Sequence, residues 1–203
     1  MKFYFKMALM PLFYCFFSAM LGIGIILLDE KHLALQFVLC VVNTAFYCVI
    51  MGAAGFKDGE NAFKIRMQND TYRRRIVQTG EDLPLQVHEE YKPWKGCVIA
   101  LISAIPTVAL VLIHVLINVA SAEPSNTLGM ITGIFNMVVF SYFLVGGSIS
   151  ATGITTWQYT FSLLYVPFIC LVYGLPYFLG ARKMSKQYDI IKATHFEIHG
   201  EDK

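Results

Sequence analysis

The sequence predicts an all-α protein, an integral membrane helical bundle of about five apolar segments, the fourth of which either crosses or re-enters the bilayer. Three observations predict it. Apolar residues make up 56% of the 203 positions and charged residues only 15%, a balance outside that of ordinary soluble domains. Met7 to Leu28 and Leu33 to Phe56 contain no Asp, Glu, Lys or Arg, and from Cys97 to Ala181 the only such residue is Glu123. A helix needs about 20 apolar residues to cross roughly 30 Å of hydrocarbon, so these stretches are long enough to span.

The first segment, Met7 to Leu28, follows Met1-Lys-Phe-Tyr-Phe-Lys6. That start resembles a signal-peptide n-region, but the apolar stretch is too long for an h-region and has no small-x-small cleavage site, so a retained helix is expected. Asp29-Glu-Lys-His32 turns the chain into the second segment, Leu33 to Phe56. Residues 1–56 therefore form an N-terminal hairpin. Lys57 to Lys95 is polar, with eight Lys/Arg and seven Asp/Glu; composition favours a helix over 61–78, and Pro84 and Pro93 mark breaks. The 57–96 region is thus a polar connector with a helix of its own.

The third segment, Cys97 to Ser121, contains Pro106, which membrane helices tolerate because neighbouring groups satisfy the freed carbonyl. A fourth runs from Leu128 to Val145 and passes into Gly146-Gly-Ser-Ile-Ser-Ala-Thr-Gly-Ile-Thr-Thr156. The fifth, Tyr159 to Leu179, is interrupted by Pro167 and Pro176, and a polar tail occupies 182–203. Lys2, Lys6, Lys57, Lys92 and Lys95 place the N-terminus and the 57–96 loop in the cytoplasm, because short basic loops resist translocation. Arg182, Lys183 and Lys186 ask for the same side. Five full crossings from a cytoplasmic start would put them on the other, so either the fourth segment re-enters or the tail lies outside despite its charge.

Candidate functional positions fall into two groups. Ser103, Thr107, His114 and Asn118, at intervals of four, seven and four, form a polar stripe on one face of the third segment; Asn43 and Asn136 are polar residues in neighbouring segments. An ionisable group in a bilayer is a functional candidate, and His114 with Asn118 could hold a proton, an ion or a substrate group. The plainer reading is interhelical hydrogen bonding, worth about 1 kcal/mol each. In the second group, Gly146, Gly147, Ser148, Thr152, Gly153 and Thr155 form a loop whose carbonyls and hydroxyls could replace an ion's hydration shell. An interfacial turn of small residues ending at the belt residues Trp157 and Tyr159 explains the same composition.

Other chemistries find little support. The net charge of +2 argues neither for nucleic acid nor for an acidic ligand. The five cysteines, Cys15, Cys40, Cys48, Cys97 and Cys170, include no Cys-x-x-Cys pair and read as small apolar residues, with no metal site or cofactor expected. Phosphate-binding glycine loops, zinc-ligand spacings and a Gly-x-Ser-x-Gly elbow are absent from the sequence. His114-x-x-x-Asn118 resembles one motif of the membrane-embedded prenyl-protein proteases. Their companion Glu-Glu-x-x-x-Arg is not matched: Glu89-Glu90 is followed by Trp94 where arginine is needed, in a polar loop.

Gly55-Phe-Lys-Asp-Gly59, Tyr91-Lys-Pro-Trp-Lys-Gly96 with Pro106, Asn136 and the closing Tyr177-Phe-Leu-Gly-Ala-Arg182 together resemble a group of uncharacterised small multi-pass membrane proteins of Gram-positive bacteria. The resemblance extends from about Gly52 onward, and Ala181-Arg182 departs from the group's aromatic-basic ending. It implies a bacterial plasma membrane and about five helices, and it brings no catalytic residues. Small-residue seams at Ser18-x-x-x-Gly22 and Gly129-x-x-x-Gly133 would permit close packing within or between chains.

The expectation is therefore a non-enzymatic multi-pass plasma-membrane protein acting through protein contacts, as a small subunit of a membrane complex or an accessory or immunity-type protein. Its expected partners are the lipid bilayer and either a second copy or another membrane protein, with no nucleic acid. The alternative is a small oligomeric channel or carrier for an ion or small solute, using the third-segment stripe and the Gly/Ser/Thr loop.

Overall fold

The computed structural model describes residues 2–26, 33–120 and 161–200, and these are all-helical apart from the connector around Gly80 to Trp94. α1 is Lys2–Ile26, α2 Leu33–Thr79 and α3 Lys95–Ala120. The last helical run opens with a 3-10 turn, Phe161–Leu164, and continues as α4, Tyr165–Ile169, a π turn, Cys170–Gly174, and α5, Leu175–Gly200. The wide π turn lies just before Pro176, whose ring would clash with the carbonyl one regular turn back; widening the helix there relieves that conflict.

The connector does not begin with an element of its own. α2 runs unbroken for 47 residues, about 70 Å at 1.5 Å per residue. It carries the uncharged stretch ending at Phe56 straight into the charged one, because nothing between Phe56 and Asn61 stops a helix. Gly55 and Gly59 weaken helical preference there, and packing overrides it: both lie against the last helical run. α2 stops before Gly80, whose φ of 71° is the one positive value among the described residues, a left-handed stop that glycine adopts without a Cβ penalty.

Packing fixes the directions of the helices. Gly55 and Gly59 of α2 lie against Tyr173 and Tyr177, and Gly180 lies against Phe56, so both sequences advance together and α2 runs parallel to α5. Gly96 lies against Tyr177, and Gly174 lies against Cys97, so α3 runs opposite to the last run. Ser18 donates to Asn43 Oδ1 at 3.2 Å, and Asn43 Nδ2 donates back to the Ser18 carbonyl at 3.1 Å, joining α1 to α2. Tyr4 of α1 stacks on Trp94 at the entrance of α3, with centroids 6.4 Å apart. The start of α1, the middle of α2, the start of α3 and the start of α5 thus share one end of the bundle, and the chain leaves along α5 on the side where the connector lies.

The interior is unusual in what it holds. Tyr47, Tyr165, Tyr173 and Tyr177 are buried beside Ala8, Cys15, Met51, Ile99, Ala100, Ala104 and Ile169, while Phe5, Phe13, Val42, Val49, Ile105, Leu116, Leu171 and Leu175 are exposed. Tyr47 and Tyr165 share a hydroxyl–hydroxyl hydrogen bond of 3.1 Å. Large aliphatic and phenylalanine side chains face outward while small residues and tyrosines face inward, the reverse of a water-soluble helical core. Among the described helices, the run Tyr165–Ile191 is the one long and apolar enough to cross a membrane.

Candidate functional site

The three sequence strings Gly55 to Gly59, Tyr91 to Gly96 and Tyr177 to Arg182, far apart in the chain, meet at the shared end of the bundle. Glycine allows the meeting. A Cβ at Gly59 would overlap the Tyr177 carbonyl oxygen, one at Gly180 the Phe56 carbonyl oxygen, and one at Gly96 would sit 2.8 Å from Tyr177 Cβ. The helices therefore approach backbone to backbone, as small residues permit. Tyr91 stacks on Tyr177 with centroids 5.7 Å apart, and its N–H donates to the Ala62 carbonyl at 3.0 Å, pinning the returning connector to α2.

The connector is folded, not slack. Asn69, 1% exposed, donates to Glu90 Oε1 at 2.8 Å and accepts from the Gln86 N–H at 3.1 Å. Arg73 bridges Glu90 at 2.5 Å and Asp70 at 2.9 Å. Asn69-Asp-Thr71, a formal glycosylation sequon, thus has its asparagine buried and doubly bonded. Lys95 is also 1% exposed. Its ammonium donates to the His88 carbonyl at 2.6 Å and to the Glu90 carbonyl, and lies 5.7 Å from the ring centroids of Phe3 and Tyr4.

Beside these contacts opens a cleft of about 410 Å³, lined by Phe3, Met7, Ile65 and Ile99 and by the charged residues Asp58, Lys64, Glu89 and Lys95. Its volume is that of a small-molecule site. Asp58 accepts a hydrogen bond of 2.6 Å from the Tyr173 hydroxyl. Burial pushes its carboxyl above the ordinary value, and the Tyr173 hydroxyl and the Lys57 charge only partly oppose this. Burial lowers Lys95 and the Lys92 charge adds to the effect, against Glu90 and Glu89. Burial raises Tyr91, opposed by Arg66. A cleft that unites apolar walls with two perturbed groups of opposite charge is the default candidate for binding.

The positions singled out in the sequence are placed elsewhere. Ser103 is buried and donates to the Ala100 carbonyl at 2.7 Å within α3, and Asn43 is spent on Ser18. The side chains of Thr107, His114 and Asn118 lie outside the described residues, as do Asn136, Gly146, Gly147, Ser148, Thr152, Gly153, Thr155 and the Gly129-x-x-x-Gly133 seam. Cys15, Cys48, Cys97 and Cys170 are free thiols. Periodicity did carry one usable signal for the cleft end: Tyr165, Tyr173 and Tyr177, spaced eight and four, fall on one face of an otherwise apolar segment. The cleft charges Asp58, Glu89 and Lys95 carried none, since they sit in a stretch of mixed charge.

Comparison of the chain with protein-family models, with curated proteins and with solved structures gave no match.

Proposed function

We propose that the chain is a multi-pass plasma-membrane protein without catalytic activity of its own, which works by presenting a folded, basic helical platform on the cytoplasmic side to an acidic surface of a partner protein. The membrane setting is supported by the outward-facing apolar side chains on all four helical runs, Phe5 to Leu21, Leu35 to Val49, Leu101 to Leu116 and Leu164 to Leu179, since exposed apolar area on this scale needs a cover. Exposed Lys6, Lys57, Lys92 and Arg182 mark one end of these stretches, and beyond it exposed apolar residues are scattered, as at Val77, Leu85, Val87, Ile190 and Ile191. Basic flanks at one end favour the cytoplasm for that end. Lys92 lies over the Trp94 ring at 5.7 Å, a pairing suited to the headgroup level.

The observation that carries the contact reading is a sorting of charge. In sequence, acidic and basic residues of the connector nearly cancel. In the fold, Asp58, Glu60, Asp70 and Glu90 are engaged by Tyr173, Lys183 and Arg73, while Glu81 and Asp82 stay exposed beyond the end of α2. Lys57, Lys64, Arg66, Arg74 and Arg75 remain exposed and, among the described residues, take no part in an ion pair within 4.0 Å. Lys57, Lys64 and Arg75, seven and eleven residues apart, fall on one face of α2. A rigid helix with a cationic face and few opposing carboxylates fits an acidic partner and speeds its encounter.

Purification from native membranes in a mild detergent tests this. The wild type should retain a stoichiometric protein at about 0.15 M salt and release it at about 0.5 M, as screening of exposed charges requires. The double variant Arg74→Glu/Arg75→Glu should lose it at both. A chain that purifies alone, or a companion indifferent to charge reversal, overturns the reading.

A further inference from the structure

Two charges of opposite sign line the cleft at the shared end of the bundle and do not pair. Asp58 and Lys95 both face it, yet no nitrogen–oxygen contact within 4.0 Å joins them, although Arg73 and Lys183 form such contacts nearby. Among the described residues the hydrogen-bond partners of each are neutral groups, the Tyr173 hydroxyl for Asp58 and the His88 and Glu90 carbonyls for Lys95. Their hydrogen bonds are made, but their charges are not balanced by each other. The cleft of about 410 Å³ lies between them.

The remaining lining repeats the arrangement. Glu89 adds a second carboxylate, Lys64 a second ammonium, and Asn61 an amide, while Phe3, Met7, Ile65 and Ile99 supply apolar wall. A ligand bearing one charge would meet a group of its own sign at close range, at a cost that like charges in a partly buried site make large. A ligand bearing both meets complementary groups at each end. We infer that the cleft is a binding site for a small zwitterion, whose ammonium is held by Asp58 and Glu89 and whose carboxylate or phosphate is held by Lys64 within the field of Lys95. The Phe3 and Ile99 walls cover its carbon skeleton. An amino acid and the phosphoethanolamine headgroup of a lipid share this chemistry.

The inference rests on the cleft and not on the partner surface, so the two fail separately. The full chain in a non-ionic maltoside is melted, with tryptophan fluorescence as the probe, alone and with glycine, glutamate, phosphoethanolamine or phosphatidylethanolamine. Ethylamine, acetate and phosphatidic acid are the single-charge controls. At saturation one zwitterion should raise the melting temperature by about 3 °C or more, and its single-charge analogue should not. Response to free phosphoethanolamine or an amino acid marks a soluble ligand; response only to phosphatidylethanolamine marks a lipid. Asp58→Asn and Glu89→Gln should each weaken the response about ten-fold, while Arg74→Glu/Arg75→Glu leaves it intact. Equal shifts for zwitterions and their single-charge analogues, no shift for any of them, or undiminished affinity in both cleft variants would overturn the inference. Glu89, half-buried, provides a second variant independent of the hydrogen bond between Asp58 and Tyr173.

Discussion

Gly59 in the middle of α2 lies directly against the backbone of Tyr177 at the start of α5, with no room between them for a β-carbon. This contact, with Gly55 against Tyr173 and Gly180 against Phe56, sets the spacing of α2 and the last helical run. It also brings Asp58 within reach of the Tyr173 hydroxyl and Glu60 within reach of Lys183.

Gly59→Ala should therefore destabilise the fold by about 2–3 kcal/mol, because backbone cannot yield as a flexible side chain would. Gly52→Ala is the matched control. Its nearest neighbours would be at 3.8 Å, ordinary contact distance, and alanine favours helix by about 1 kcal/mol. Thermal or denaturant unfolding in detergent should rank Gly59→Ala well below wild type and Gly52→Ala at or above it. Equal behaviour would mean that the helices are not packed this closely.

Asn69→Ala should cost about 2 kcal/mol and loosen the connector. It strands one acceptor site on the buried Glu90 and removes the partner of the partly buried Gln86 N–H, and a buried polar group left unpaired costs about 1–3 kcal/mol. Hydrogen exchange should rise across 81–90 before it rises in α1 or α3. Uniform exchange throughout the chain would show that the connector is not held through Asn69.

Asp58 sets a pH dependence whose sign is opposite to that of a salt-bridged carboxylate. Its folded carboxyl binds a proton more tightly than the ordinary value of 3.8, so the folded state holds more protons than the unfolded state between the two values. Stability then falls as pH rises through that window. Asp58→Asn keeps an acceptor for Tyr173 and removes the charge. It should be at least as stable as wild type at pH 7.5, and its melting temperature should lose the decline that wild type shows as pH is raised from about 4, near the ordinary carboxylate range. A wild-type melting temperature that climbs over this range would reverse the assignment.

The parallel run of α2 and α5 predicts that the connector and the tail share one side of the membrane. Single cysteines at Thr71 and Lys186 in a cysteine-free background should both resist a membrane-impermeant maleimide in intact cells and both react after the cells are opened. Labelling of one and not the other in intact cells would contradict the helix directions.

Much of the helical content was legible because uncharged stretches of 20 or more residues have few alternatives to a helix when the backbone must satisfy itself. The boundary at Phe56 was less so. Charge begins at Lys57, and a change of solvent looks in sequence like a change of element, whereas the backbone hydrogen bonds of α2 continue across it. The common direction of α2 and α5 was hidden in the glycines at 55, 59 and 180, whose meaning depends on which backbone they touch; the fourth segment, on which the parity conflict turns, lies outside the described residues.

By itself, the sequence determined that the chain is helical, where its uncharged stretches lie and which ends are basic, because these depend on local composition and hydropathy. Tertiary structure decided that α2 and α5 run together, that Asn69, Glu90 and Lys95 are buried, that Glu60, Asp70 and Glu90 find cationic partners, and that Asp58 and Lys95 face one cleft without touching. Those outcomes depend on close approach between residues more than 120 positions apart, as Glu60 and Lys183 are, and mixed charge in one stretch of chain says nothing about which charges will find partners.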